Sequence, residues 1–336
     1  MTNPTPGDST RVILFGVGSI GGMIARVLLD RKGFEIVGAV DNEPHKVNCD
    51  VGRLAGLRRD IGVLVSSDAK DVLAEQAELV VHSASSFLGL CMPDLTQSIR
   101  AGHNVVSTCE ELAEPWAENW HLADELDHLA KKMGVTVLGT GVNPGFAMDA
   151  WPLVLTAVCQ QVNRIRVRRV VDASRRRMQL QKKVGAGQTA VAFQELAAQR
   201  QLRHIGLVES AALIARGLGF KLDKIEESIE PILAKRRIVT DYFTIEPGFV
   251  AGVNQTARGF ASGIERVTLE LVISCDAPES TDEVWIDGRP NLQSSIKGIH
   301  GDMATAAVVA NAARRVIAAP PGLLTMADLP IPTAYQ

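Results

Sequence analysis

The stretch Arg11–Leu29, RVILFGVGSIGGMIARVLL, restricts the fold more than any other part of the chain. A short apolar run, Val12–Phe15, leads into Gly16-Val17-Gly18-Ser19-Ile20-Gly21, and an amphipathic segment, Met23–Leu29, follows. Strand, glycine turn and helix, in that order, are what a dinucleotide phosphate site requires. In such a unit Gly16 permits the tight turn, Gly18 lets a pyrophosphate approach the backbone, and Gly21 lets the helix pack close to the strand. The amides of the new helix, around Ser19 and Ile20, and its positive dipole then face the phosphates.

A glycine turn alone is weak evidence, and this one has context. A second apolar run, Phe34–Val40, ends at Asp41. Asp41 lies about 20 residues past the last glycine, where an acidic side chain holds the ribose hydroxyls of a dinucleotide. The plainer alternative is that Asp41 only caps a turn.

Apolar runs and helical patterns go on alternating through about residue 142, which argues for a parallel sheet with crossover helices. Strand candidates are Val63–Val65, Ala77–His82, Asn104–Thr108 and Val135–Leu138; helices are expected over Asp68–Glu75, Asp94–Ala101 and Trp116–Met133. In such a sheet ligands collect at the carboxyl ends of the strands. Four segments fall there: Gly16–Gly21; His82-Ser83-Ala84-Ser85-Ser86; Thr108-Cys109-Glu110-Glu111; and Gly139–Gly145, which contains Asn143 and Pro144. The second is small and polar enough to pass under a nicotinamide ribose. The last two are expected to meet at the reacting end of the cofactor.

Glu110 and Glu111 have two readings. A carboxylate just past a strand end, beside an apolar ring, is partly desolvated, which raises its pKa and suits it to proton transfer near neutrality. Alternatively both cap the helix that follows. If one is catalytic, Glu110 is preferred as the nearer to the strand end.

Length suggests one large or two ordinary domains, and 46% hydrophobic residues supply an ample core. The net charge of −3 and 4% aromatic content argue against a nucleic-acid binder. The five cysteines are scattered, with no CxxC pair, and read as reduced thiols without a zinc site. Residues 1–10 read as a flexible polar tail, and the longest apolar stretch, Phe146–Val158, is interrupted by Asp149 and too short to span a bilayer. A soluble cytoplasmic protein is expected, with no membrane partner.

Past Gly145 the pattern changes. Met148–Cys159 reads as an apolar helix, and Arg164–Ser174, RIRVRRVVDAS, alternates like a strand with one wet face. Its basic run through Lys183 fits a solvated sheet face or subunit contact better than a phosphate site. Gln181–Ala190 reads as a glycine loop, Val191–Gln199 and Ala211–Leu218 as helices, and Ile238–Ile245, Ile264–Ser274 and Glu283–Asp287 as strands, with Val250–Phe260 as a loop between two of them. The second domain is therefore α+β with a mainly antiparallel sheet. A lone histidine such as His204 is more often a structural hydrogen-bonder than a catalyst. Near the end, Gly298–Thr305 opens a helix over Met303–Ala318, closed by Pro320-Pro321-Gly322. That helix is expected to return to the first domain and close over the cofactor.

GVGSIGG at the first turn, NVVSTCEEL at 104–112, GVNPGF at 141–146, KVGAGQTAVAF at 183–193, RHIGLVES at 203–210, IHGDMATA at 299–306 and PPGLL at 320–324 together resemble the 2,4-diaminopentanoate dehydrogenase family. That family is related to the native NAD(P)H-dependent amine dehydrogenases and, more distantly, to dihydrodipicolinate reductase. The resemblance implies a Rossmann-type parallel sheet over 11–142 joined by a C-terminal helix from 298–336. It implies a substrate and dimerisation domain over 143–297, whose sheet forms a homodimer. It also implies NAD(P) as cofactor and an oxidoreductase acting on CH–NH2 or C=N groups, by reductive amination of small aldehydes or ketones with ammonia and the reverse deamination. The alternatives are 2,4-diaminopentanoate dehydrogenase proper or an imine reductase of the dihydrodipicolinate reductase kind. By the same resemblance Glu110 is the acid–base group, Asn143, Pro144, Phe146, Ala147 and His204 line the pocket beside the nicotinamide, and Thr305 contacts the cofactor. The paired histidines and serine-glycine-threonine pattern of dihydrodipicolinate reductase are absent here.

Overall fold

Strands β1 (Thr10–Phe15) and β2 (Phe34–Val40) flank helix α1 (Ser19–Leu29), and the alternation continues through α2 (Val51–Leu54), β3 (Val65–Ser66), α3 (Ala69–Leu73), β4 (Leu79–His82), α4 (Leu88–Arg100), β5 (Asn104–Ser107), α5 (Trp120–Met133) and β6 (Thr136–Gly139). A second series follows: α6 (Ala150–Leu155), β7 (Gln161–Asp172), α7 (Met178–Lys183), α8 (Ala190–Ala198), α9 (Leu207–Leu218), then β8 (Lys224–Leu233), β9 (Ile238–Val239), β10 (Thr244–Ile245), β11 (Val250–Ala261), β12 (Ile264–Ser274), β13 (Thr281–Arg289) and β14 (Leu292–Lys297). The chain closes with α10 (Gly301–Ile317) and β15 (Gly322–Leu324). This computed structural model describes residues 9–199 and 201–334. Residues 1–8 of the expected tail lie outside them. The chain divides into two compact units, one made of the residues up to Phe146 and those from His300 onwards, the other of Ala147–Ile299.

In the first unit seven strands form one parallel sheet in the order β15-β6-β5-β4-β1-β2-β3. The chain runs outward from β1 to β3, then returns to place β4 on the other side of β1. That reversal makes a crevice at the carboxyl ends of β1 and β4. The central strands are apolar runs because helices cover both faces of such a sheet; Val12, Ile13, Leu14, Val80, Val105 and Val137 are all fully buried. Helix α10 packs on α1 and on β5.

The second unit carries a six-stranded sheet in the order β14-β13-β7-β12-β11-β8, antiparallel except for the β7–β12 pair. Alternation sorts β7 cleanly: Ile165, Val167 and Val171 are buried on the face toward the core, while Arg164, Arg166 and Arg168 are exposed on the other. Helix α9 packs through Leu207, Ala211 and Ile214 against the core face formed by β11 and β12.

Two sequence expectations are corrected here. Residues 250–260 are not a loop but strand β11, hydrogen-bonded on both sides, to β8 and β12. Gly252 serves close backbone approach: a Cβ on it would lie 2.1 Å from the Ile273 carbonyl oxygen. The expected loop at 181–190 begins inside helix α7.

Candidate active site

The glycine turn is built by contact with β4. Gly16 has φ +92°, and a Cβ on it would meet the Ser83 carbonyl oxygen at 2.7 Å. Ser83 donates its backbone N–H to Phe15 O at 2.7 Å and its hydroxyl to Gly16 O at 2.8 Å. Gly21 faces the same carbonyl of Gly16 from the helix side, so glycine is demanded at both positions. Gly18 differs. It is the N-cap of α1, it makes no side-chain cap, and a Cβ there would meet nothing within 4 Å. The first turn of α1 carries no acidic side chain. An open approach to a bare helix N-terminus fits a pyrophosphate.

Asp41 follows β2 and is buried. Its Oδ2 accepts from Val17 N at 2.8 Å and Lys46 Nζ at 2.9 Å, and its Oδ1 accepts from Glu43 N at 3.0 Å. Burial alone would raise the carboxyl pKa, but Lys46 and the two amides together hold it below the ordinary value. Asp41 therefore ties the glycine turn to the β2 exit.

The other strand ends divide between buried supports and surfaces open to a ligand. The His82 ring lies in the core, its Nδ1 at 2.8 Å from Ser107 Oγ and its Nε2 at 3.5 Å from Asp94 Oδ2. Burial disfavours its cation, yet Asp94 and Cys91 raise its pKa. Cys109 is buried and donates its thiol to Ser86 O at 3.3 Å; contact with Cys91 and burial push its pKa up. These two side chains brace the strand ends from within. Ser19 and Ala84 are exposed, and Ile20, Ser83, Ser85 and Thr108 are half-buried.

At the β5 exit Glu110–Leu112 form one 3-10 turn. The Glu111 carboxylate is bound into another element: its Oε2 accepts from Leu88 N, the first residue of α4, at 2.7 Å and from Asn119 Nδ2 at 3.5 Å. Its capping partner is thus a helix that precedes it, not the one that follows. Glu110 is half-buried at the same strand end.

After β6, Thr140–Gly145 form a buried turn segment with a cis Asn143–Pro144 bond, and Phe146 after it is half-buried. The Thr305 hydroxyl accepts from Val142 N at 3.2 Å, which pins this segment to α10. Asn143 is 8% exposed, and both its Nδ2 and its Oδ1 are buried without a hydrogen-bond partner among the described residues. An amide that offers one donor side and one acceptor side fits a carboxamide. Together with the Gly18 approach, this donor set fits a nicotinamide dinucleotide.

Ala147 and His204 belong to the second unit. The backbone N–H and carbonyl of His204 pair with Gln255 Oε1 and Nε2 at 2.7 and 2.8 Å, while its Nδ1 is buried without a hydrogen-bond partner among the described residues. Burial, helped by Lys183 and Arg169, pushes its pKa down to about 3, so the ring is a neutral hydrogen-bonding group. The unit also holds a buried pair that sequence reading missed, Ser210 Oγ donating to Asp149 Oδ2 at 2.7 Å. The partners lie 61 positions apart, so no local pattern joins them. Among the described residues no cluster of His, Cys, Asp or Glu suits a metal ion, and no helix is long and apolar enough to cross a membrane.

A family model described as the 2,4-diaminopentanoate dehydrogenase C-terminal domain matches residues 146–336, and one for the dihydrodipicolinate reductase N-terminus matches residues 10–107. The 2,4-diaminopentanoate dehydrogenase of Acetoanaerobium sticklandii is 33% identical over 98% of this chain and 96% of its own. The chain belongs to the 2,4-diaminopentanoate dehydrogenase family. It is an oxidoreductase. Within reach of the family are the amine dehydrogenase of Streptomyces virginiae, 26% identical over 95% of this chain and 96% of its own, and the structure of an amine dehydrogenase from Mycobacterium smegmatis. The latter is 28% identical, covers 98% of both chains and superposes with a TM-score of 0.87. A 2,4-diaminopentanoate dehydrogenase family member thus shares its whole-chain fold with an amine dehydrogenase.

Proposed function

We propose that this chain is an NAD(P)-dependent amine dehydrogenase that reductively aminates a small aldehyde or ketone with ammonia and runs the reverse deamination. The observation that carries the reading is the division of labour at the β5 exit. Glu111 is bound into the start of α4, which favours Glu110 of the adjacent pair for the acid–base role.

When bound, the cofactor supplies or accepts a hydride at the carbon bearing nitrogen. The chain's residues do the rest. The amides at the start of α1 and the open approach at Gly18 hold the pyrophosphate. Asn143 orients the carboxamide through its two buried amide atoms. Glu110 takes a proton from the nitrogen that adds to the substrate carbonyl and returns it to the departing hydroxyl, so that water leaves. Ionised, it then stabilises the positive iminium carbon–nitrogen group by charge. Proton transfer of this kind is worth roughly a hundred- to ten-thousand-fold in rate.

Ammonium dependence tests the reading. Oxidation of reduced cofactor with a panel of small ketones and aldehydes should require ammonium and saturate with it. Turnover that ignores ammonium would instead favour reduction of a preformed imine. A homodimer is proposed through the open face of the second sheet, where Arg166 stacks over Trp285 at 4.1 Å from the ring centre and Arg168 pairs with Glu270 at 3.4 Å. Light scattering of the purified protein at twice the monomer mass would support it.

A further inference from the structure

The Asp41 carboxylate, placed where a dinucleotide's adenosine ribose would rest, is already heavily engaged. A carboxylate has about four acceptor positions. Val17 N and Lys46 Nζ occupy Oδ2, and Glu43 N occupies one side of Oδ1. One acceptor position remains, on Oδ1, enough for one ribose hydroxyl and not for a paired grip on two. The charge is also altered. Lys46 sits 2.9 Å from Asp41, with side chains only 16% and 8% exposed, so the pair is shielded from solvent and close to neutral as a unit. The other acid of this loop, Glu43, has its carboxylate beside His45 Nδ1 at 3.8 Å, with both side chains well exposed.

An unpaired acid at this point repels a 2′-phosphate; an acid carrying its own ammonium does not. Resting on the nucleotide reading of the first unit, we infer that Lys46 sets cofactor choice. By pairing with Asp41 it cancels the repulsion and offers an ammonium to a phosphate on the ribose 2′ oxygen. The chain therefore accepts dinucleotides with and without that phosphate. Asp41 keeps its hold on the glycine turn through Val17 in either case, because that bond does not involve Lys46.

Calorimetric titration with two cofactor fragments, 5′-ADP and 2′,5′-ADP, reads this without turnover. Wild-type protein should bind both within about tenfold of each other. Lys46→Met should weaken 2′,5′-ADP by roughly ten- to hundredfold, the scale of one lost charge-assisted hydrogen bond, and leave 5′-ADP within threefold. Lys46→Arg should keep the wild-type ratio, which guards against a folding effect of the first variant. An unchanged ratio in folded Lys46→Met, with 5′-ADP still bound, would overturn the role of Lys46 alone. Wild-type rejection of 2′,5′-ADP by a hundredfold or more would do the same. Failure of wild-type protein to bind either fragment would overturn the nucleotide reading and this inference with it.

Discussion

A Cβ on Gly21 would lie 2.1 Å from the carbonyl oxygen of Gly16 and 2.7 Å from Ser83 Oγ. The turn and the helix it opens are thus in backbone contact, and no side chain fits between them. Gly21→Ala should cost about 1–3 kcal/mol as an overpacked site and lower the melting temperature by several degrees. Gly18→Ala meets open space and should melt like wild type, yet bind cofactor at least tenfold more weakly if its methyl stands at the proposed pyrophosphate approach. Thermal melts beside cofactor titrations separate the two. Equal losses of stability in both variants would contradict the assignment.

Glu110→Gln should lower kcat by roughly a hundred- to ten-thousand-fold and leave cofactor Kd unchanged. Glu111→Gln should act through stability instead, costing about 1 kcal/mol for the weakened cap on α4, with kcat within a few-fold of wild type. If steady-state kinetics reversed this order, the acid–base role would pass to Glu111.

Arg169 and Asp282 form a buried ion pair in the second unit, Nη1 to Oδ1 at 2.5 Å. Burial lowers the arginine pKa and raises the aspartate pKa despite their attraction, so desolvation outweighs pairing at this site. Arg169→Met alone should destabilise by roughly 3–5 kcal/mol, and adding Asp282→Leu should recover most of that loss. Urea unfolding of the two singles and the double measures the coupling.

The neutral His204 ring gives a pH signature. Its folded pKa of about 3 lies below the ordinary 6.5, so the unfolded chain binds the extra proton between those values. The contribution is fully present above about pH 6.5 and is lost as the pH falls toward 3. Urea midpoints should decline over that window with a slope that His204→Asn reduces. In spectra of folded protein the His204 ring should show no titration between pH 8 and 4.5.

The sheet of the first unit was readable in its central strands because these are continuous apolar runs with helical periods between them, whereas β12 matched its expected span, 264–274, because polar and apolar residues interleave along it, IERVTLELVIS. Other features depend on partners far along the chain. Helix α4 starts six residues before the expected Asp94 because Glu111, 23 positions later, caps Leu88. Strand β11 reads as a loop from VAGVNQTARGF, since its glycines and polar residues earn their places only against β8 and β12. Strand β15 hides behind a Pro-Pro-Gly stop, and only pairing with β6 shows it. At the site, the glycine turn and the Glu110-Glu111 pair were visible as motifs. The bond from Val17 to Asp41 was not, because its partners lie 24 positions apart.

The edge strand β15 hangs on the residue just before β6 through Gly322 N to Val135 O at 3.0 Å, on α5 through Leu323 N to Asp127 Oδ1 at 3.0 Å, and on Thr136, whose hydroxyl donates to Pro320 O at 2.9 Å. During synthesis those contacts cannot form until Gly322–Leu324 have left the ribosome. The nucleotide-side sheet, whose first strand is made earliest, is consequently finished last, after Ala147–Ile299 has already emerged in full.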